Sequence, residues 1–206
     1  MTPGFWISSI TVAGHPTRLE FSVGFESGLN VIYGPSNSGK SWVLQCIDYV
    51  FGLKADEFVL DENSGYTEVR MGVRTAQGSL TLSRPIGEGA NNIEVSSTDP
   101  RIESGTYKRQ SSGRSPLLSS VWLKLIGYDA PENLKIIKNQ NLETQALTWR
   151  TFWHALYADE DRISTKKPIL LPLQTTAQPA FKCALASLIT GKDYAAYARD
   201  ESVETR

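Results

Sequence analysis

Between Gly34 and Ser41 the chain reads Gly-Pro-Ser-Asn-Ser-Gly-Lys-Ser, matching G-x-x-x-x-G-K-S/T at every fixed position. The residue types suit a polyanion. Glycines let a backbone curl until successive N–H groups point inward at phosphate oxygens. A helix opening at Lys40 turns its positive end on the same anion. Lys40 is then expected to bridge β- and γ-phosphates as the catalytic cation, and the Ser41 hydroxyl to ligate Mg²⁺. The expected ligands are ATP and Mg²⁺, contacted by Gly34, Pro35, Ser36, Asn37, Ser38, Gly39, Lys40, Ser41 and Trp42. Such a match arises by chance about once in a hundred or more chains of this length.

The flanks match what the loop needs. Gly28–Tyr33 (GLNVIY) is a compact apolar run of the kind found in buried strands and leads straight into it. Lys40–Phe51 (KSWVLQCIDYVF) places Val43, Leu44, Ile47 and Val50 at helical spacing, and Gly52 supplies a stop. Upstream, Phe5–Val12 and Arg18–Val23 read as strands. Downstream, Tyr66–Arg74 and Ser79–Arg84 read as strands joined by a turn at Gln77-Gly78, with Ile93–Val95 as a third. Residues 86–116 are rich in Gly, Ser, Asn and Pro and read mostly as flexible loop. Helices are expected at Pro116–Gly127, Thr148–Asp161 and Pro179–Thr190, the last closed by Gly191. Lys192–Arg206 is polar and helix-compatible.

Hydrolysis needs a strand ending in a metal-holding carboxylate. Ala155-Leu156-Tyr157-Ala158-Asp159-Glu160 imitates one, yet Trp149, Phe152, Trp153, Leu156 and Tyr157 recur on one helical face. The helical reading is preferred, with the aromatic stripe as core. Ser111-Ser112-Gly113-Arg114 only echoes an ABC signature and reads as loop.

Net charge is −1 over 206 residues, which gives no global case for nucleic acid. The Lys108, Arg109 and Arg114 cluster within Tyr107–Arg114 reads as a solvated loop. Cys46 and Cys183 are far apart, and His15 and His154 lack ligand spacing, so no metal is assigned to them. No apolar run reaches the roughly 18 residues of a membrane span, and the N-terminus lacks a signal-peptide pattern. A cytoplasmic protein is expected.

The order of two strands, GLNVIYGPSNSGKSWVLQCIDYVFG and a β-rich segment resembles the N-terminal half of the ABC-type ATPase head in SMC-like and SbcC-type proteins. Asn30, Gly34, Asn37, Gly39, Lys40 and Ser41 sit in register with the family pattern GxNxIxGxNGSGKSxxLxAI. Pro35-Ser36-Asn37-Ser38 departs from the usual order and is similar to a bacterial branch of coiled-coil ATPases, some tied to defence against foreign DNA. The resemblance implies an α/β fold: a P-loop NTPase, the ABC-type half-head (lobe I), with an antiparallel β insert at about 66–96 and peripheral helices. It implies a half-head over residues 1–191 and the start of a coiled coil over 192–206. Glu143–Leu171 would carry the Q-loop helix, where Asp159 or Glu160 stands in the glutamine's place, making Glu160 the expected metal-sensing substitute. Arg84 would match an arginine that engages nucleotide or DNA; its residue context reads as surface strand.

In that family a coiled coil and a C-terminal half with signature and Walker B follow, and two heads sandwich two ATPs. The implied partners are such a C-terminal half or a second head, and DNA, in repair, chromosome or defence processes. Ending at Arg206 fits a truncated chain or a split gene product, expected to be inactive alone. The alternative is a self-contained small P-loop NTPase using Asp159/Glu160 as Walker B. A third reading is a nucleotide-gated module that recruits DNA or a protein partner.

Overall fold

A computed structural model of the chain describes residues 4–14, 20–61, 64–110, 115–164, 168–172 and 174–194. Expectations for His15, for the signature echo at 111–114 with Arg114, and for 195–206 of the expected coiled-coil start lie outside the described residues. The chain divides into two compact units, Met1–Gly127 and Tyr128–Arg206.

In the first unit, six strands form one antiparallel sheet: β1 (Phe5–Gly14), β2 (Phe21–Gly24), β3 (Tyr66–Thr75), β4 (Ser79–Pro85), β5 (Asn92–Ser97) and β6 (Gly105–Lys108). Their spatial order is β2-β1-β3-β4-β5-β6. Alternation along each strand sends one set of side chains inward. Val69, Met71 and Val73 of β3, Leu80 and Leu82 of β4, and Ile93 and Val95 of β5 are all buried. Register lines them up, with Ile10 opposite Met71, Met71 opposite Leu82, and Leu82 opposite Val95. Helix α1 (Lys40–Val50) packs on β1, β3 and β4. Helix α2 (Leu118–Leu125) buries Trp122, whose ring lies 4.3 Å from Phe51 and 5.4 Å from Phe5.

Four expectations change here. The strands expected as an antiparallel insert are antiparallel and continue the sheet that begins with β2 and β1, because β3 pairs along almost the whole of β1. The described residues of 86–116 are more than a loop: β5 and β6 pair there, and Ala90, Ile102 and Tyr107 are buried. Asp99, also buried, staples this region; it accepts from Thr75 Oγ1 at 2.6 Å and from Arg101 at 2.9 and 2.7 Å. The buried face of α1 is rotated to Val43, Cys46, Tyr49 and Val50, leaving Leu44 exposed.

The fourth change concerns the apolar run before the glycine loop. Gly28–Tyr33 forms no strand among the described residues, and Leu29, Val31 and Tyr33 are 92%, 72% and 90% exposed. A strand needs neighbours for its N–H and C=O groups, and no described strand lies beside it.

The second unit is built from short pieces. Strands β7 (Lys135–Ile137) and β8 (Thr144–Ala146) form an antiparallel ladder. A 3₁₀ turn at Trp149–Phe152 leads into α3 (Trp153–Leu156), followed by α4 (Glu160–Ser164) and α5 (Gln178–Thr190). Gly191, at φ 68°, closes α5 in the left-handed conformation that glycine tolerates. Trp149, Phe152 and Trp153 are buried as core.

The expected continuous helix over Thr148–Asp161 breaks at Tyr157, which is extended at φ −130°, ψ 125°. Local capping outweighs apolar periodicity there. Asp159 Oδ1 accepts the Arg162 amide at 2.8 Å, the geometry of an N-cap that starts a new helix. The Arg162 guanidinium then donates to the His154 carbonyl at 2.9 Å and to the Tyr157 carbonyl, satisfying the end of α3.

Candidate functional site: the glycine loop

The loop begins behind a small backbone device. Asn30 Oδ1 accepts the Glu26 amide at 2.9 Å, and Asn30 Nδ2 donates to the carbonyls of Glu26 at 2.8 Å and Gly28 at 3.1 Å. That closes the turn feeding Leu29–Tyr33 and fixes where the chain enters the loop. Asn37 (φ 60°) and Gly39 (φ 83°) then take left-handed conformations, and the chain curls into α1 at Lys40. The turn is tight, since a Cβ at Gly34 would lie 3.2 Å from Ser38 Oγ.

Lys40 reaches back into this curl. Its ammonium donates to the carbonyls of Gly34 at 3.0 Å and Pro35 at 2.6 Å and to Ser38 Oγ at 3.2 Å. Ser41 is exposed on the first turn of the helix, whose leading N–H groups have no acceptor within it. A lysine charge, a helix N-terminus and an exposed hydroxyl therefore meet at one place. Trp42 departs from this pattern. Its indole N–H donates to the Val59 carbonyl at 3.3 Å, and its ring packs with Phe21, Phe58 and Tyr66 at 6.1–6.4 Å.

The far end of α1 is held by a residue whose context suggested a surface position. Arg84 is fully buried, which corrects that expectation. Its guanidinium donates to Ala90 O at 2.7 Å, to Leu53 O at 2.8 Å and to Tyr49 O, and lies 3.8 Å from the Tyr49 ring centre. A cation on the last carbonyls of a helix is favourable, and here it pins the loop-bearing helix to the sheet. The Tyr49 hydroxyl adds a bond to Pro85 O at 2.5 Å; burial raises its pKa, and the nearby Arg84 charge opposes that rise. Alternation put Arg84 on β4, but no pattern showed that its head would serve three carbonyls.

Lys108 and Arg109 are likewise not in a solvated loop. Lys108 lies in β6 and donates to Asn92 Oδ1, and the Arg109 amide donates to Asn91 O at 3.0 Å. In the second unit, Asp159 and Glu160 are both exposed, Asp159 as the cap described above and Glu160 as the first residue of α4. His154 is held below its ordinary pKa by burial and by the charges of Arg162 and Arg150. Among the described residues no group of three or more His, Cys, Asp or Glu could hold a metal, and no helix is long and apolar enough to cross a membrane.

A glycine curl with a lysine turned into it, opening a helix, defines a P-loop nucleotide-binding protein. Residues 11–173 match the AAA domain family, and the chain belongs to that family. It is therefore an ATP-binding, nucleotide-dependent domain of mixed α/β structure with a mostly antiparallel sheet. No curated protein sequence matches it. The loop fits Mg·ATP, because its tight curl, the inward ammonium of Lys40 and the exposed Ser41 hydroxyl offer the donors and the oxygen ligand that a metal-bound triphosphate requires.

Proposed function

We propose that this chain is the ATP-binding N-terminal half of an SMC-like, SbcC-type ATPase head, completed by a C-terminal half carrying signature and Walker B. The observation that carries the reading is the bare apolar run at Leu29, Val31 and Tyr33 directly before the loop. The apolar composition there is that of a central strand, and a central strand requires partners on both edges. A C-terminal half, from the same polypeptide or a second one, supplies them.

Within this reading the amides of Gly34 and of Ser36 to Ser41, with the Lys40 ammonium, hold the triphosphate, the Trp42 amide adds to the helix N-terminus, and Ser41 ligates Mg²⁺. Glu160 takes the place of the Q-loop glutamine as metal sensor. Bound ATP supplies the scissile phosphoanhydride. The chain's own contribution is to orient and neutralise it. The role of Asp159 as a helix cap supports this over a self-contained NTPase, which would need a strand-borne carboxylate at 155–160. The resemblance to SMC-like proteins supports work in DNA-associated processes in the cytoplasm, with a second head or DNA as partner.

The test is turnover. The chain alone is expected to bind Mg·ATP weakly and to hydrolyse it well below about 1 s⁻¹. Turnover at that rate or above would contradict the reading. A DNA mobility shift that weakens steeply with salt would establish direct DNA contact.

A further inference from the structure

Two non-glycine residues among the described ones hold a left-handed backbone, Asn37 at φ 60° and Leu142 at φ 63°. Glycine enters that region freely, whereas a residue with a Cβ is strained there, asparagine less than most. At Leu142 the fold accounts for the strain. The turn is held by Asn139, whose Oδ1 accepts the amides of Asn141 and Glu143 at 3.1 and 3.2 Å and whose Nδ2 donates to Glu143 Oε2 at 2.8 Å. Asn30 is committed in the same way to the turn before the glycine loop. Asn37 has no such duty. It is exposed in the middle of the loop, and its carboxamide meets no partner among the described residues. Strain that the surrounding fold does not use points to function.

Donor supply indicates which function. The Lys40 ammonium has three N–H groups, and it gives them to Gly34 O, Pro35 O and Ser38 Oγ. It therefore meets a phosphate oxygen only by releasing a contact within the loop. Asn37 brings two further N–H donors, one residue from the Ser38 hydroxyl where that ammonium ends. We propose that the Asn37 carboxamide donates to the terminal phosphate of Mg·ATP and so selects the triphosphate over the diphosphate, an assignment that rests on reading the loop as the ATP site. A terminal phosphate offers three oxygens. Mg²⁺ and Lys40 answer two of them, and the Asn37 N–H groups answer the third. A diphosphate has no group at that place, so the carboxamide adds nothing to its binding.

The test is calorimetric titration of Mg·ATP and Mg·ADP into the full chain, its Asn37→Gly and Asn37→Asp variants, and Lys40→Ala. Glycine keeps the left-handed backbone and removes only the side chain. Asn37→Gly is expected to weaken Mg·ATP about tenfold, the loss of one hydrogen bond to a charged group, and to leave Mg·ADP unchanged, with the same near-UV spectrum as the parent. Asn37→Asp keeps the size of the side chain and removes both N–H donors, and is expected to weaken Mg·ATP further than Asn37→Gly. Equal losses of Mg·ATP and Mg·ADP in Asn37→Gly would mean a purely structural role and overturn the proposal. So would parent-like Mg·ATP binding by Asn37→Gly, or by Asn37→Asp, where the side-chain oxygen rather than the N–H groups would be at work. Lys40→Ala separates the two levels of the claim. Weak binding there beside parent-like Asn37→Gly removes the Asn37 assignment alone, whereas parent-like binding by Lys40→Ala, or none by the parent, removes the loop site and the assignment together.

Discussion

The two units solve the problem of buried charge in opposite ways. In the first, Arg84 and Asp99 are buried inside or beneath a six-stranded sheet and each is consumed by structure: one clamps the end of α1, the other joins β3 to the turn after β5. In the second, strands of three residues and helices of four and five leave basic and hydroxyl groups around an open cavity. A wide sheet can hide a charge because neighbouring strands and helix ends supply carbonyls in quantity. Short elements cannot, so their cations stay at the surface or clamp their own chain, as Arg162 does. The glycine loop is thus mounted on the rigid solution.

The largest expected break in this contrast is Arg84→Met. It leaves three carbonyls buried without their donor and is expected to cost the first unit about 3–5 kcal/mol. Denaturant unfolding with probes in each unit checks it; equal destabilisation of both units would dissolve the comparison. Asp99→Asn is expected to cost about 2 kcal/mol, with a pH signature. The hydrogen bonds from Arg101, with help from Thr75, hold the Asp99 carboxyl well below the usual range. A depressed folded pKa gives stability that is complete above about pH 4 and lost as pH falls through the folded value. The first unit's acid unfolding should accordingly be shallower with pH in Asp99→Asn than in the parent.

Arg162→Met tests the second unit's own clamp and is expected to cost about 1–2 kcal/mol, seen as loss of helical signal without change in the first unit. Thiol labelling perturbs neither. Burial pushes the Cys46 thiol up to about 12, whereas Cys183 is only partly buried and accepts the Ile137 amide at 3.4 Å. Alkylation should reach Cys183 first and Cys46 only when the first unit opens. Simultaneous labelling would mean that the units open together.

What could be read from residues alone follows the same division. The loop from Gly34 to Ser41, the β3–β4 hairpin and the Gly191 stop are written in local chemistry, where glycine, alternation and turn residues act on near neighbours. Gly28–Tyr33 has a strand's composition yet forms none among the described residues, because composition records the setting a strand is suited to, not whether its partners are present. Apolar spacing predicts one helix over Thr148–Asp161 because it is silent about an aspartate that caps a new start. Arg84 reads as a surface residue because charge alone is silent about the carbonyls it meets, two of which, Tyr49 and Leu53, come from a distant part of the chain.

The central claim, that Lys40 and the curled amides before it hold a metal-bound triphosphate, is tested most directly by calorimetric titration of Mg·ATP into the chain and its Lys40→Ala variant. The expected result is binding by the parent and at least about tenfold weaker binding by the variant, the loss of one charge-assisted contact, with the fold unchanged. Equal affinity in the two proteins would contradict it.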